Sequence, residues 1–249
     1  MTDTEGGPAA ATPPPLLPLE IEVGRVLAVV AHPDDLEYGA AAAVAAWTDA
    51  GQEVVYLLAS RGEAGIDSMN PADAGAARDA EERASAAIVG VQTVEFLDHA
   101  DGVIEYGVPL RRDIAAAIRR HRPDTLLLFN HRESWGPGRM NSPDHRNVGA
   151  AALDAVGDAG NRWIFPELGL ERHAVRNALV TGSPQSTHAI DVTATVDRAV
   201  ASLAAHSAYL EGLGDHPMAD PEVIRMFLEG TGHRLQGSGA ALAVELFSF

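Results

Sequence analysis

The chain has 249 residues, with 18 Lys and Arg against 35 Asp and Glu, a formal net charge of −17 and no cysteine. Lack of cysteine excludes disulfides, thiolate nucleophiles and Cys-held metals, so any metal must sit on His, Asp, Glu or backbone oxygen. The acidic balance argues against a nucleic-acid backbone or an anionic membrane as partner, because both select basic surfaces.

Residues 1–18 are rich in Pro, Ala and Thr and lack a basic stretch followed by a long apolar one. They read as a disordered tail rather than a signal peptide, and residues 19–249 as a single domain. No apolar run approaches the ~20 residues needed to span a bilayer; the expected location is the cytoplasm. Arg25–Val30 is an apolar run of the kind found in buried parallel strands. After a polar turn, Ala40–Ala50 reads as a helix stopped by Gly51. Glu53–Leu58 follows as a strand, Ser60–Pro71 as a loop, Asp73–Val89 as a helix and Thr93–Leu97 as a strand. Pro109–Arg122 is helical and Pro123 enforces its stop. Thr125–Phe129 is a fourth strand, followed by a long loop, Asn130–Pro143, and a helix over His145–Ala159. Beyond it, strands are expected at Val175–Val180 and Ala189–Val192, one long amphipathic helix at Thr195–Leu213, a helix at Pro221–Glu229 and a last strand at Leu242–Phe247.

This alternation predicts an α/β chain with a Rossmann-like three-layer fold: a mostly parallel sheet with helices on both faces. Ligands of such sheets bind outside the carboxyl ends of the strands, so the loops after Val30, Leu58, Leu97 and Phe129 should line one edge. No G-x-G-x-x-G, Walker sequence or G-x-S-x-G elbow is present, which leaves dinucleotide, P-loop and serine-hydrolase chemistry without support.

Two His-and-Asp clusters fall on that edge: His32-Pro33-Asp34-Asp35-Leu36-Glu37 and Ser142-Pro143-Asp144-His145. Brought together, His32, Asp35 and His145 make two imidazoles and one carboxylate, a set that binds catalytic zinc and leaves a position for water. Asp34 is then free to act as general base, and Asp144 to orient a neighbouring imidazole. The competing account is that the acids near helix starts are only caps.

These segments resemble the PIG-L/LmbE-type metal-dependent N-deacetylases. The family's A-H-P-D-D-E signature corresponds to Ala31–Glu37 and its P-D-H-R segment to Pro143-Asp144-His145-Arg146. Ser60-Arg61-Gly62-Glu63-Ala64-Gly65, Arg78–Arg83, Asp101-Gly102, Arg122-Pro123-Asp124, Thr187–Val192 and Ala205-His206-Ser207 also fit, over roughly residues 25 to 210. The resemblance implies zinc, or another divalent ion, held by His32, Asp35 and His145, with Asp34 as general base and water attacking the amide carbonyl. It implies a small N-acyl, chiefly N-acetyl, amino-sugar substrate.

Two positions depart from the pattern. Leu36 stands where Glu is usual and Glu37 follows it. Ser142 occupies the place of a His that is thought to protonate the amine or hold the oxyanion in the thiol-pathway deacetylases, and Ser does no acid work near neutral pH. His188 is the favoured replacement and His131 the other candidate. Trp135 is a candidate for stacking on a sugar face or for anchoring its loop. Arg61, Glu63, Arg78 and Asp101 are candidate contacts to substrate hydroxyls, or else ion pairs; His206 reads as packing or surface. Two other activities fit the same motifs: a zinc amidase cutting a larger amide such as a thiol conjugate, and a non-catalytic sugar-binding relative.

Overall fold

In the computed structural model, residues 14–249 are described. In chain order the strands are β1 (Leu17–Pro18), β2 (Val26–Val30), β3 (Val54–Leu58), β4 (Thr93–Phe96), β5 (Thr125–Leu128), β6 (Ser134–Gly136), β7 (Arg139–Met140), β8 (Asn177–Thr181), β9 (His188–Asp191) and β10 (Ala241–Ser248). The helices are α1 (Asp35–Gly39), α2 (Ala41–Asp49), α3 (Pro71–Ile88), α4 (Val108–His121), α5 (Pro143–Gly160), α6 (Val196–Ala204), α7 (Ser207–Gly212) and α8 (Val223–Gly232).

Eight strands form one sheet in the order β1-β9-β10-β8-β5-β2-β3-β4, with β6 and β7 a separate hairpin. All pairings in the large sheet are parallel except those of β10, which runs antiparallel to both β8 and β9. All five residues of β2 are buried, and the period of two divides them between two cores. Val26, Ala28 and Val30 pack with Ala41–Ala45, Leu203 and Ile224 from α2, α6 and α8. Leu27 and Val29 pack with Ile114, Ile118, Val148 and Ala152 from α4 and α5. That is the expected three-layer α/β architecture.

The chain leaves β2 toward β3 and β4 on one side, while β5 flanks β2 on the other. The sheet order therefore reverses between β2 and β5, and a crevice opens at their carboxyl ends. The loops carrying His32 and His145 leave from those two ends.

Four expectations need correction. The tail expected over 1–18 falls mostly outside the described residues, but Leu17–Pro18 pairs parallel with β9 and Leu16 is buried, because its side chain joins a small core with Ala189, Leu235 and Ala241. The polar turn expected before the Ala40–Ala50 helix contains α1, so Asp35 and Glu37 are themselves helical, while the expected helix stands as α2. The loop expected over Asn130–Pro143 contains the β6–β7 hairpin. The helix expected over Thr195–Leu213 is broken: His206 leaves helical geometry, with φ −83° and ψ 54°, and turns its fully buried ring inward between α6 and α7. Among the described residues no helix is long and apolar enough to cross a membrane.

Candidate active site

The turn after β2 sets the first half of the site. Asp34 has φ 98° and ψ −24°, a left-handed conformation that costs a residue with a Cβ. Arg78 from α3 holds it there. Its Nη2 donates to Asp34 Oδ1 at 2.7 Å and also to the Pro33 carbonyl, and its Nη1 donates to the Gly62 carbonyl at 3.0 Å. Gly62 is itself left-handed at φ +62°, and a Cβ there would run into the Arg78 guanidinium. Asp34 makes no side-chain cap to α1, so its carboxylate is not spent on the helix end. Burial raises its pKa above the ordinary value, against the opposing pull of Arg78, which moves it toward the range where a carboxylate takes a proton effectively.

Asp35 Oδ2 accepts from the amides of Ala31 and His32, both at 3.0 Å. Its Oδ1 lies 2.9 Å from His145 Nε2, and its Oδ2 lies 3.7 Å from His32 Nδ1. Burial works to raise the carboxyl, but the two imidazoles prevail and hold it well below the usual carboxylate range.

His145 sits in the first turn of α5. The N-cap is Ser142, whose Oγ accepts from the His145 amide at 3.1 Å. Ser142 is thus committed as a helix cap. Asp144 does not cap its own helix either. Its carboxylate accepts from the Gly102 and Ile104 amides at 2.7 and 3.1 Å and lies 3.2 Å from His32 Nε2.

The donor atoms of His32, Asp35 and His145 lie within 4.8 Å of one another. A metal needs an unprotonated nitrogen from each imidazole, and the outer partners decide which nitrogen that is. His32 Nε2 faces Asp144 and also Asp101 Oδ1 at 3.1 Å. Those carboxylates, with Asp35, raise the His32 pKa despite burial. The Nε2 proton stays between the acids, which leaves Nδ1 toward Asp35. His145 Nδ1 meets Asn141 Oδ1 at 2.9 Å; the amide oxygen only accepts, so Nδ1 carries the proton and Nε2 the lone pair. Both lone pairs and the Asp35 carboxylate converge, and the set fits a divalent cation. Asn141→Ala is expected to weaken zinc affinity roughly 10- to 100-fold, as titration of the stripped protein would show, and to cost stability as well, because the buried Asn141 amide also donates to the Asn130 and Arg132 carbonyls.

These groups line one cavity of about 740 Å³, together with Tyr38, Trp135, Arg139 and Tyr209. Trp135 packs on Phe129 and on His145, with ring centroids 5.0 and 5.7 Å apart. The remaining candidates sort cleanly. Arg78 and Asp101 reach the cavity, Arg78 through Asp34 and Asp101 through His32. Arg61 does not: it pairs with Asp98 at 3.0 Å and lies over Phe96, because its loop directs it outward. Glu63 is used inside that loop, accepting from the Arg61 and Asp101 amides. His131 turns toward Phe247 and Gly149 and leaves the cavity wall. His188 sits in β9 between β1 and β10, with Nδ1 at Thr187 Oγ1, and does not line the cavity.

Sequence reading missed Asn141, Tyr209 and the use of Glu37, Glu82 and His206. Tyr209 follows the family-like Ala205-His206-Ser207 segment and underlies the Arg78 guanidinium, 4.4 Å from ring centroid to Cζ; its place after that segment was the available signal. Glu37, Glu82 and His206 form a second, fully buried group behind the turn. His206 Nε2 lies 3.5 Å from Glu37 and 3.7 Å from Glu82, and Glu82 Oε2 is 3.4 Å from the Asp34 amide. Burial pushes Glu82 far up, so it holds its proton; burial also acts against the charge on Glu37, but His206 outweighs it and keeps Glu37 ionised. His206→Ala leaves that charge unpaired and is expected to cost about 3 kcal/mol of stability, read by denaturant unfolding.

Two imidazoles and a carboxylate lie at the switch point of a parallel sheet with a second acid held beside them, an α/β protein with a donor set that could hold a divalent cation. The chain belongs to the PIG-L family: the model described as GlcNAc-PI de-N-acetylase matches residues 27–156, just over half the chain and both His-and-Asp clusters. Among similar proteins, a diacetylchitobiose deacetylase of Thermococcus kodakarensis is 34% identical over 141 residues, covering 56% of this chain and 51% of the relative. A probable N-acetyl-alpha-D-glucosaminyl L-malate deacetylase 2 of Bacillus anthracis is 29% identical over 139 residues, covering 53% and 59%. The alignments thus span about half the length of these curated relatives. The solved N,N'-diacetylchitobiose deacetylase of Pyrococcus horikoshii, complexed with its inhibitor, superposes with a TM-score of 0.79 at 21% identity, covering 90% of this chain and 84% of that one. At that identity the likeness speaks for the fold.

Proposed function

We propose that this protein is a divalent-metal hydrolase, zinc the expected ion, that removes the N-acetyl group of an amino sugar or a glycosylated small molecule. The observation that carries the reading is the convergence of His32, Asp35 and His145 with Asp34 on one cavity. The family and the relatives' names, which specify N-acetylated amino sugars, support it. When bound by His32, Asp35 and His145, the ion supplies Lewis acidity, polarising a carbonyl and lowering the pKa of water.

The chain's own residues do the rest. Asp34 takes the proton of the attacking water and delivers it to the departing amine, since Ser142 is committed to the helix cap and neither His131 nor His188 lines the cavity. Arg78 fixes the Asp34 carboxylate through Oδ1. Tyr209 keeps its proton, because burial and the neighbouring Asp34 raise its pKa, and its ring supports the Arg78 guanidinium that holds Asp34. Trp135 offers a face to the sugar ring. The direct test is acetate release from a panel of N-acetyl amino sugars by zinc-loaded protein. Release that disappears on chelation supports the reading, and no acetate from any member of the panel overturns it.

A further inference from the structure

The catalytic groups occupy only one end of the cavity. The other end is walled by the segment from α7 through α8 to β10, and its chemistry is different. Leu213, Met218, Ile224, Phe227, Leu228 and Leu242 line it. No carboxylate or guanidinium of that segment faces in; its polar side chains are Thr231, His216 and Tyr209, of which Tyr209 lies against Arg78 at the catalytic end and His216 Nδ1 already accepts from the Met218 amide. The wall is continuous with the catalytic end, because the Tyr38 hydroxyl of α1 donates to the Met218 carbonyl at 2.6 Å. Phe227 is 47% exposed, a large aromatic left half uncovered on a cavity wall rather than packed into the core.

A second sugar ring in this limb would bring hydroxyls to a surface with almost no partners for them, and unpaired hydroxyls lose binding energy. An alkyl or aryl group would gain from the same surface. Resting on the deacetylase reading above, we propose that the preferred substrate carries an apolar substituent, seated between α8 and β10 while the N-acyl amide lies at Asp34 and His145. Such a group can enter from the anomeric oxygen, as an aglycone, or from the nitrogen, as a longer acyl chain.

The test compares zinc-loaded protein on N-acetylglucosamine, its octyl β-glycoside, and methyl N-octanoylglucosaminide, with amine release as the common readout. Each methylene that is buried is worth roughly threefold to fourfold, so at least one octyl compound should show a kcat/KM at least about tenfold above its short-chain parent. The octyl glycoside winning places the aglycone in the limb; the octanoyl amide winning places the acyl chain there. Phe227→Ser should remove most of the gain through KM and leave N-acetylglucosamine turnover unchanged. Calorimetric titration with octyl β-glucoside, which has no amide, separates the two readings: binding that Phe227→Ser weakens upholds the limb even if no amide is cleaved. Equal kcat/KM for short and octyl compounds, with no calorimetric binding, overturns the proposal and leaves the deacetylase reading standing. So does a dimer, seen by light scattering and broken by Phe227→Ser, in which chain length has no effect, since a second copy would then cover the wall.

Discussion

Replacing Asp34 with Asn is expected to lower kcat by roughly 10²- to 10⁴-fold, the usual share of a positioned general base, while zinc stays bound. The substitution is informative because Asn is among the residues that best tolerate φ near the 98° of this position. An Asn amide oxygen can still accept from Arg78, so the turn that carries Asp35 keeps its support. What is lost is the group that receives a proton. Asp34→Ala would confuse that result by adding backbone strain and freeing the buried Arg78. Steady-state kinetics beside zinc analysis reads the difference: unchanged metal with kcat near wild type would remove Asp34 from the reaction.

Replacing Asp35 with Ala is expected to abolish turnover and metal binding together. This carboxylate accepts two buried amides and lies between both imidazoles, so its loss leaves several polar groups without partners, each worth about 1–3 kcal/mol. In wild type, zinc should raise the melting temperature, because a ligand that binds only the folded state stabilises by mass action; in Asp35→Ala that rise should vanish. The metal-free protein should also show the titration of this group. The folded pKa lies below the unfolded value of about 3.9, so its stabilisation is present above about pH 4 and is lost as acid protonates it. A zinc-dependent melting shift that survives in Asp35→Ala would contradict the ligand assignment.

Much of this was legible in the sequence because it is local. The apolar runs that became β2, β3 and β5 are buried on both faces, and a continuous run is what such a strand requires. Once those strands were placed, sheet topology alone brought the loops bearing His32, Asp35 and His145 to one edge. The rest depends on contacts between distant segments. Asn141 is recognisable as a histidine partner only after the hairpin returns it to α5, and which imidazole Asp144 meets, that of His32, is fixed only once the two loops are brought together. The break at His206 has no local helix-breaker; it follows from a buried partnership with Glu37, 169 positions away in a different helix. His188 lies in a segment that fits the family, but whether its side chain reaches the cavity is set by the pairing of β9 with β10 and not by local sequence.

The central claim is that His32, Asp35 and His145 form one metal site, and elemental analysis of the purified protein tests it most directly. Wild type, after zinc add-back and removal of loose ion, should hold about one divalent ion per chain, and His145→Ala should hold none while remaining folded. Wild type that retains no ion after add-back, or His145→Ala that retains a full one, would contradict the account.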